Sequence, residues 1–374
     1  MKIGIIDADL ISRKNHNFPN LALMKISGYQ KTFGHDVELI SSYQDISPNG
    51  FFMKSFDKIF ISMAFTNSFV PKDVLNLSNV IYGGTGFFYD KAPKLPHEIE
   101  HHFPDYHLYD KWMKNEMRFN HRPAKYFKYY TDFSIGFTTR GCFRQCEFCV
   151  NCNEKHVYTH SSLDEFHDKN RKKICLLDDN VFGLPKYWIN IFEELIATNK
   201  PFQYKQGLDI KTLTEQKAEI LLRSKYEGDY IFAFDNYRDK KIIERKIKIF
   251  KKYMPNKIPK FYVFCAYDRK DKWDTDFWEN DIVEIFERLK ILMKYKCLPY
   301  LMRFERWETS PFPYIYASLA TWCNQPSPFK KMSFIQFLSA FPSIENFKYF
   351  LSFKRKYPHI VEKYFDLRYD EIKE

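Results

Sequence analysis

The sequence predicts an α/β protein: an N-terminal doubly wound parallel sheet followed by a partial (β/α)6 barrel of the TIM type. Three observations predict it. Short apolar runs alternate with amphipathic stretches of helical spacing along the 374 residues. The chain is 45% hydrophobic and 19% aromatic, with 38 Phe and 26 Tyr, enough to bury a large core over two domains. The alternation resumes at Phe133 after a stretch rich in Pro, His and Tyr.

Residues 1–90 form the first sheet in this reading. Lys2–Asp7 is a short apolar strand. Pro19 opens a helix after Asn17, with Leu21, Met24, Ile26, Tyr29 and Phe33 near one face and Gly34 as the stop. Val37–Ile40, Asp57–Phe65 and Val80–Tyr82 are the next strands, the last running into Gly83-Gly84-Thr85-Gly86. Ligands bind such sheets at the carboxyl ends of the strands. Residues 91–130 read as a linker with short helices, in which Tyr106, Tyr109 and Trp112 pack between domains.

Residues 131–305 form the barrel. Its strands are Phe133–Phe137, Lys173–Leu177, Phe202–Gly207, Tyr230–Phe234, Phe261–Ala266 and Pro299–Phe304. Helices lie between them at Leu163–Asn170, Tyr187–Thr198, Glu215–Ser224, Lys241–Tyr253 and Asp281–Tyr295. Ser162 and Glu165 suit a capping box for the first. Residues 306–374 are an aromatic, Pro-punctuated extension, with Ser333 starting its last helical segment.

The chemistry concentrates in Thr139-Arg140-Gly141-Cys142-Phe143-Arg144-Gln145-Cys146-Glu147-Phe148-Cys149, directly after the first barrel strand. The cysteine spacing is C-x3-C-x2-C. Three thiolates this close suit three irons of a [4Fe–4S] cluster, leaving a fourth iron open for a small molecule. A fourth cysteine, Cys152, allows a four-cysteine zinc site, yet structural zinc sites usually pair two knuckles across a longer loop. A fourth thiolate ligand would close the open iron, so Cys152 is read as a non-ligand. Eight cysteines in 374 residues are too few for a disulfide framework. Cys175, Cys265, Cys297 and Cys323 fall in apolar segments and read as reduced, buried thiols.

On these residues the chain resembles the radical S-adenosylmethionine (SAM) superfamily. The resemblance implies a cluster on Cys142, Cys146 and Cys149, SAM bound at the open iron, and reductive cleavage to a 5′-deoxyadenosyl radical. It places SAM contacts at Phe148 and at the strand ends: Asp178-Asp179-Asn180, Gln206, Asp209, Ala266 and Arg303. Arg140 flanks the cluster and is placed to tune its potential. Residues 1–90 resemble the cobalamin-binding domain of one branch, a Rossmann-type unit. The branch signature is Asp-x-His-x-x-Gly, then Ser-x-Leu, then Gly-Gly. The matching residues are Asp7, Asp9 and Ser12, then Ser62-Met63-Ala64, then Gly83-Gly84. Asp9 stands where cobalt would find its histidine, and carboxylate is the poorer partner. The glycines leave room for a flat ligand. A corrinoid held without a protein histidine therefore stays open, against a sheet that only shapes or covers the active site.

The formal charge of +11 favours an anionic partner: a nucleotide, a nucleic acid or an acidic electron donor such as flavodoxin or ferredoxin. The lysines of Arg238–Lys260 read instead as the solvated face of a helix. There is no signal-peptide layout and no apolar run long enough for a bilayer. The expectation is a cytoplasmic radical SAM enzyme acting on an unidentified substrate. Its rivals are a cobalamin-dependent radical methyltransferase and a zinc-bound nucleic-acid-binding protein without catalysis.

Overall fold

The structure is a computed structural model that describes residues 1–46, 54–340 and 344–372. It divides into two compact units, Met1–Lys205 and Gln206–Glu374. The boundary falls inside the series of strands expected to make the barrel, not near residue 90, 130 or 305.

In the first unit, β1 (Lys2–Asp7), β2 (Asp36–Leu39), β3 (Lys58–Ser62) and β4 (Val80–Gly83) form one parallel sheet in the order β2-β1-β3-β4. Both faces are covered, as all-parallel sheets require. Ile3 and Ile5 pack on one side, and Ile6, Ile59 and Ile61 on the other. A short helix, Ala8–Ser12, follows β1, and the helix expected from Pro19 spans Leu21–Thr32, capped by Asn20, whose side chain accepts from Leu23 N at 3.2 Å. It therefore starts later than Pro19 suggested.

The stretch expected to be a linker is part of this core. Tyr106, Leu108, Tyr109, Met113, Phe127 and Tyr130 pack with Ile3, Ile5, Leu23 and Met24. Large aromatic rings bury more apolar area than any loop can leave in water, so the segment folds onto the sheet.

A second sheet in this unit contains β5 (Phe133–Gly136), β8 (Lys173–Leu176) and β9 (Phe202–Tyr204), all parallel. Between β5 and β8, β6 (Thr139–Arg140) pairs antiparallel with β7 (Tyr158–Thr159), a hairpin the apolar pattern did not signal. The helix expected over Leu163–Asn170 is a single 3-10 turn, Leu163–Glu165, although its Ser162–Glu165 capping box is present. The cause is tertiary. Tyr106 Oη donates to the Phe166 carbonyl at 2.6 Å, and the Phe166 ring fills the space beside Gly136, where a Cβ would come within 2.2 Å of it.

In the second unit, β10 (Ile231–Ala233), β11 (Lys260–Cys265) and β12 (Leu298–Arg303) form a parallel sheet. Helices Glu215–Arg223, Lys240–Tyr253 and Thr275–Lys294 accompany it. The last starts six residues earlier than expected, where the Asp274 side chain accepts from Phe277 N at 2.9 Å. Ile243, Ile247 and Phe250 are buried, so the lysines of Lys240–Tyr253 lie on its outer side as expected. The aromatic extension folds into further helices, including Pro313–Cys323 and Pro358–Tyr364. The fold is thus mixed α/β with parallel sheets, the six strands expected to make a barrel forming two three-stranded sheets, one in each unit. No helix is long and apolar enough to cross a membrane among the described residues.

Candidate metal centre

The cysteine loop leaves the carboxyl end of β5 through the neck formed by β6 and β7. Gly141 sits at its entrance with φ +85°. A Cβ there would meet the His156 carbonyl oxygen at 2.4 Å, so only glycine fits. Two tight turns follow, with Cys149 N donating to the Cys146 carbonyl and Cys152 N to the Cys149 carbonyl at 2.9 and 3.0 Å. All four loop cysteines are partly exposed, whereas Cys175, Cys265, Cys297 and Cys323 are buried, as expected. Burial pushes the Cys175 thiol up to about 11 and the Cys297 thiol up to about 12, which keeps both inert.

Three N–H groups point at loop sulfurs. Arg144 N reaches Cys142 Sγ at 3.5 Å, Asn151 N reaches Cys149 Sγ at 3.4 Å, and Asn180 Nδ2 reaches Cys142 Sγ at 3.5 Å. Burial raises the Cys149 thiol, while the Asn151 amide works the other way. Such donors stabilise negative charge on sulfur and tune iron–sulfur potentials. Among the described residues, no three His, Cys, Asp or Glu side chains are gathered closely enough for one metal ion. A single zinc ion asks for thiolates within about 4 Å of one another. A cluster places its own iron and sulfide between them and needs a wider ring. Three partly exposed thiols in one short loop, with N–H donors at Cys142 and Cys149, fit a cluster.

The Asp178-Asp179-Asn180 run after β8 serves the neck and the loop. Asp178 is fully buried. Its carboxylate accepts from Thr138 N and Oγ1 and from Thr139 N and Oγ1, at 2.5–3.2 Å. Burial pushes it up to about 6, with the Thr138 and Thr139 donors opposing. Both of its oxygens thus accept from the neck. Asp179 accepts from Gly141 N at 2.9 Å and from Asn151 Nδ2 at 2.8 Å, with Arg140 Nε 3.7 Å away. Arg140 also lies over the Phe137 ring, 4.1 Å from its centroid. The Phe148 carbonyl accepts from Tyr89 Oη at 2.7 Å. The adjacent Asp90 carboxylate takes the Asn153 amide at 2.7 Å and faces Cys152 Sγ at 3.9 Å. Tyr89, Asp90 and Asn151 were not singled out from the sequence. Only Asn151 carried a local signal, its place among the cysteines.

Gln206, Asp209, Ala266 and Arg303 belong to the second unit. Gln206 is exposed, and Asp209 accepts from Lys211 N at 3.0 Å as a turn cap. Ala266 is wholly buried with φ +61°, its N–H donated to Asp281 at 2.9 Å, so its side chain faces no solvent. Arg303 is exposed and stacks on Trp307, 3.9 Å from the ring centroid.

At the N-terminal sheet, the strand order reverses between β1 and β3, the place where such sheets bind ligands. Asp9 lies there, buried. Its carboxylate accepts from Ala64 N at 2.7 Å, Phe65 N at 3.2 Å and Ser68 Oγ at 2.6 Å. Ser62 Oγ accepts from Asn20 Nδ2 at 2.9 Å. Gly84 has φ +107°, and the space beside it is taken by the Met63 carbonyl, 2.3 Å from where a Cβ would be. Gly83 is open, with Pro93 Cγ 3.8 Å from its Cβ position. The Cβ direction at Gly84 is taken by the β3 loop, and both oxygens of Asp9 accept from that loop. These residues do not fit a corrinoid held through position 9.

No family model and no curated protein matches the chain. Solved structures of the cobalamin-dependent S-adenosylmethionine radical enzyme OxsB are similar to it. The form with aqua-cobalamin and S-adenosylmethionine bound is 13% identical at a TM-score of 0.35, over 81% of this chain and 49% of that one. The form with aqua-cobalamin bound is 13% identical at 0.36, with the same coverage. This chain spans about half the length of those structures. At these TM-scores the likeness carries no argument, and the assignment rests on the residues.

Proposed function

We propose that the chain is a radical SAM enzyme that holds a [4Fe–4S] cluster on Cys142, Cys146 and Cys149. One observation carries this: a C-x3-C-x2-C loop at the carboxyl end of β5, with N–H groups aimed at Cys142 and Cys149. In this proposal the six strands make up a partial (β/α)6 barrel of the TIM type, whose chemistry sits at the carboxyl ends. When bound, the cluster and SAM supply one-electron cleavage of the sulfonium to a 5′-deoxyadenosyl radical.

The protein's own residues prepare that site. Asn180, Arg144 N and Asn151 N disperse charge on the thiolates. Asp178 anchors the neck at Thr138 and Thr139. Asp178 and Asp179 hold the neck and the loop, and within the first unit Phe148 and Asn180 are the SAM contacts of this proposal. The +11 charge favours a nucleotide or nucleic-acid substrate and an acidic donor such as flavodoxin or ferredoxin. An oxygen-sensitive cluster places the enzyme in the reducing cytoplasm.

The test is anaerobic reconstitution with ferrous iron and sulfide, then dithionite and SAM, with 5′-deoxyadenosine followed by chromatography. Production lost in Cys146→Ala supports the proposal. Retention of zinc with no uptake of iron overturns it in favour of a zinc-bound binding protein.

A further inference from the structure

One carboxylate reaches both ends of the cysteine loop. Asp179 Oδ2 accepts from the backbone N–H of Gly141, the residue before Cys142, at 2.9 Å. Asp179 Oδ1 accepts from the side-chain amide of Asn151, two residues past Cys149, at 2.8 Å. The Arg140 guanidinium lies 3.7 Å from Oδ2 and offsets its charge, and the Asp179 side chain is only 15% exposed. Its neighbours fix where it stands. Asp178 is tied to Thr138 and Thr139, and Asn180 touches Cys142 Sγ. Gly141 is locked by its left-handed backbone, so its N–H has one direction.

A carboxylate suits this double task because both oxygens accept and neither donates. Asparagine in its place would satisfy one end only. The segment between the two anchors holds all three motif cysteines. Left untied, it would have to be ordered by the cluster itself, at the expense of binding.

We infer that Asp179 is a positioning residue that clasps Gly141 and Asn151, holding Cys142, Cys146 and Cys149 in one preformed loop. This rests on the cluster assignment above, and it moves Asp179 from the SAM amine to the loop.

The test uses the full-length protein and the variants Asp179→Ala, Asp179→Asn, Asn151→Ala and the Asp179→Ala/Asn151→Ala pair. The first measurement needs no cluster: alkylation of the apo-protein by iodoacetamide, read peptide by peptide, with buried Cys297 as internal reference. The second is iron retained against a chelator after reconstitution with ferrous iron and sulfide. Asp179→Ala is expected to speed labelling of Cys142 and Cys149, and to weaken iron retention, each by about tenfold or more, because both charge-assisted hydrogen bonds of the clasp are lost. Cys297 labelling stays unchanged, Asp179→Asn recovers part of the protection, and the double variant is no worse than Asp179→Ala alone. Wild-type behaviour of Asp179→Ala, additive effects in the double variant, or equal acceleration at Cys297 would each overturn the clasp. A wild-type protein that takes up no iron would sink the cluster assignment instead, while the alkylation arm still decides the clasp.

Discussion

The Ser68 hydroxyl donates to the Asp9 carboxylate at 2.6 Å, both residues being buried at the carboxyl edge of the N-terminal sheet. With Ala64 N and Phe65 N on the same carboxylate, this bond draws the loop after β3 across the β1–β3 crevice.

Asp9→Ala is therefore expected to destabilise the protein by about 2–4 kcal/mol, since it leaves buried donors without an acceptor. Guanidinium unfolding measures this. A stability of Asp9→Ala equal to the wild type's would overturn the role of this carboxylate in holding the loop.

Asp7 is fully buried, and burial pushes its carboxyl up to about 7, against hydrogen bonds from Tyr109 and Leu10. A carboxyl raised in the folded state favours folding when protonated. Its contribution is complete below the unfolded value near 3.8 and is lost as pH rises through about 7. Stability should fall by a few kcal/mol from pH 4 to pH 8 on this account, and Asp7→Asn should flatten that part of the profile. Urea midpoints across this range decide it. An unchanged slope in Asp7→Asn would place the titration elsewhere.

Cys152 faces Asp90 Oδ2, with its backbone N–H given to the Cys149 carbonyl. Cys152→Ala should bind as much iron per chain as the wild type, whereas Cys149→Ala should bind far less. Equal loss in both would make Cys152 a ligand.

Arg288 is buried in the second unit, its Nη1 donating to the carbonyls of Phe234, Asp235 and Phe264 at 2.8–3.1 Å. Asp235 and Asp281 lie near enough for its charge to lower both carboxyls against the upward push of burial. Arg288→Met should cost about 3–5 kcal/mol, because it leaves buried charge uncompensated. The loss should shrink as the pH is lowered and the raised carboxyls take protons, which thermal unfolding at two pH values would show. A pH-independent loss would assign the effect to packing.

Strand β1 matches its sequence assignment, Lys2–Asp7, and β8 differs from Lys173–Leu177 by one residue. Apolar periodicity is written locally, so these elements were legible. The turn at Leu163–Glu165 was not, because Tyr106, far upstream, takes the Phe166 carbonyl that a helix would need. The linker misled for a similar reason. Its Pro and His content reads as loop, while its aromatics are drawn into the core with Ile3 and Leu23.

The candidate centre divides along the same line. Spacing alone places Cys142, Cys146 and Cys149 in one loop after a strand, since neighbours in sequence cannot be far apart in space. Which carboxylates are open to a ligand depends on partners about thirty residues away or more. Asp178, Asp179 and Asp9 all read as ligand-facing strand-end residues. In the folded chain their oxygens hold Thr138 and Thr139, Gly141 and Asn151, and Ala64, Phe65 and Ser68. A buried carboxylate must find donors wherever the fold brings them, and that arrangement exists only once the distant segments have packed.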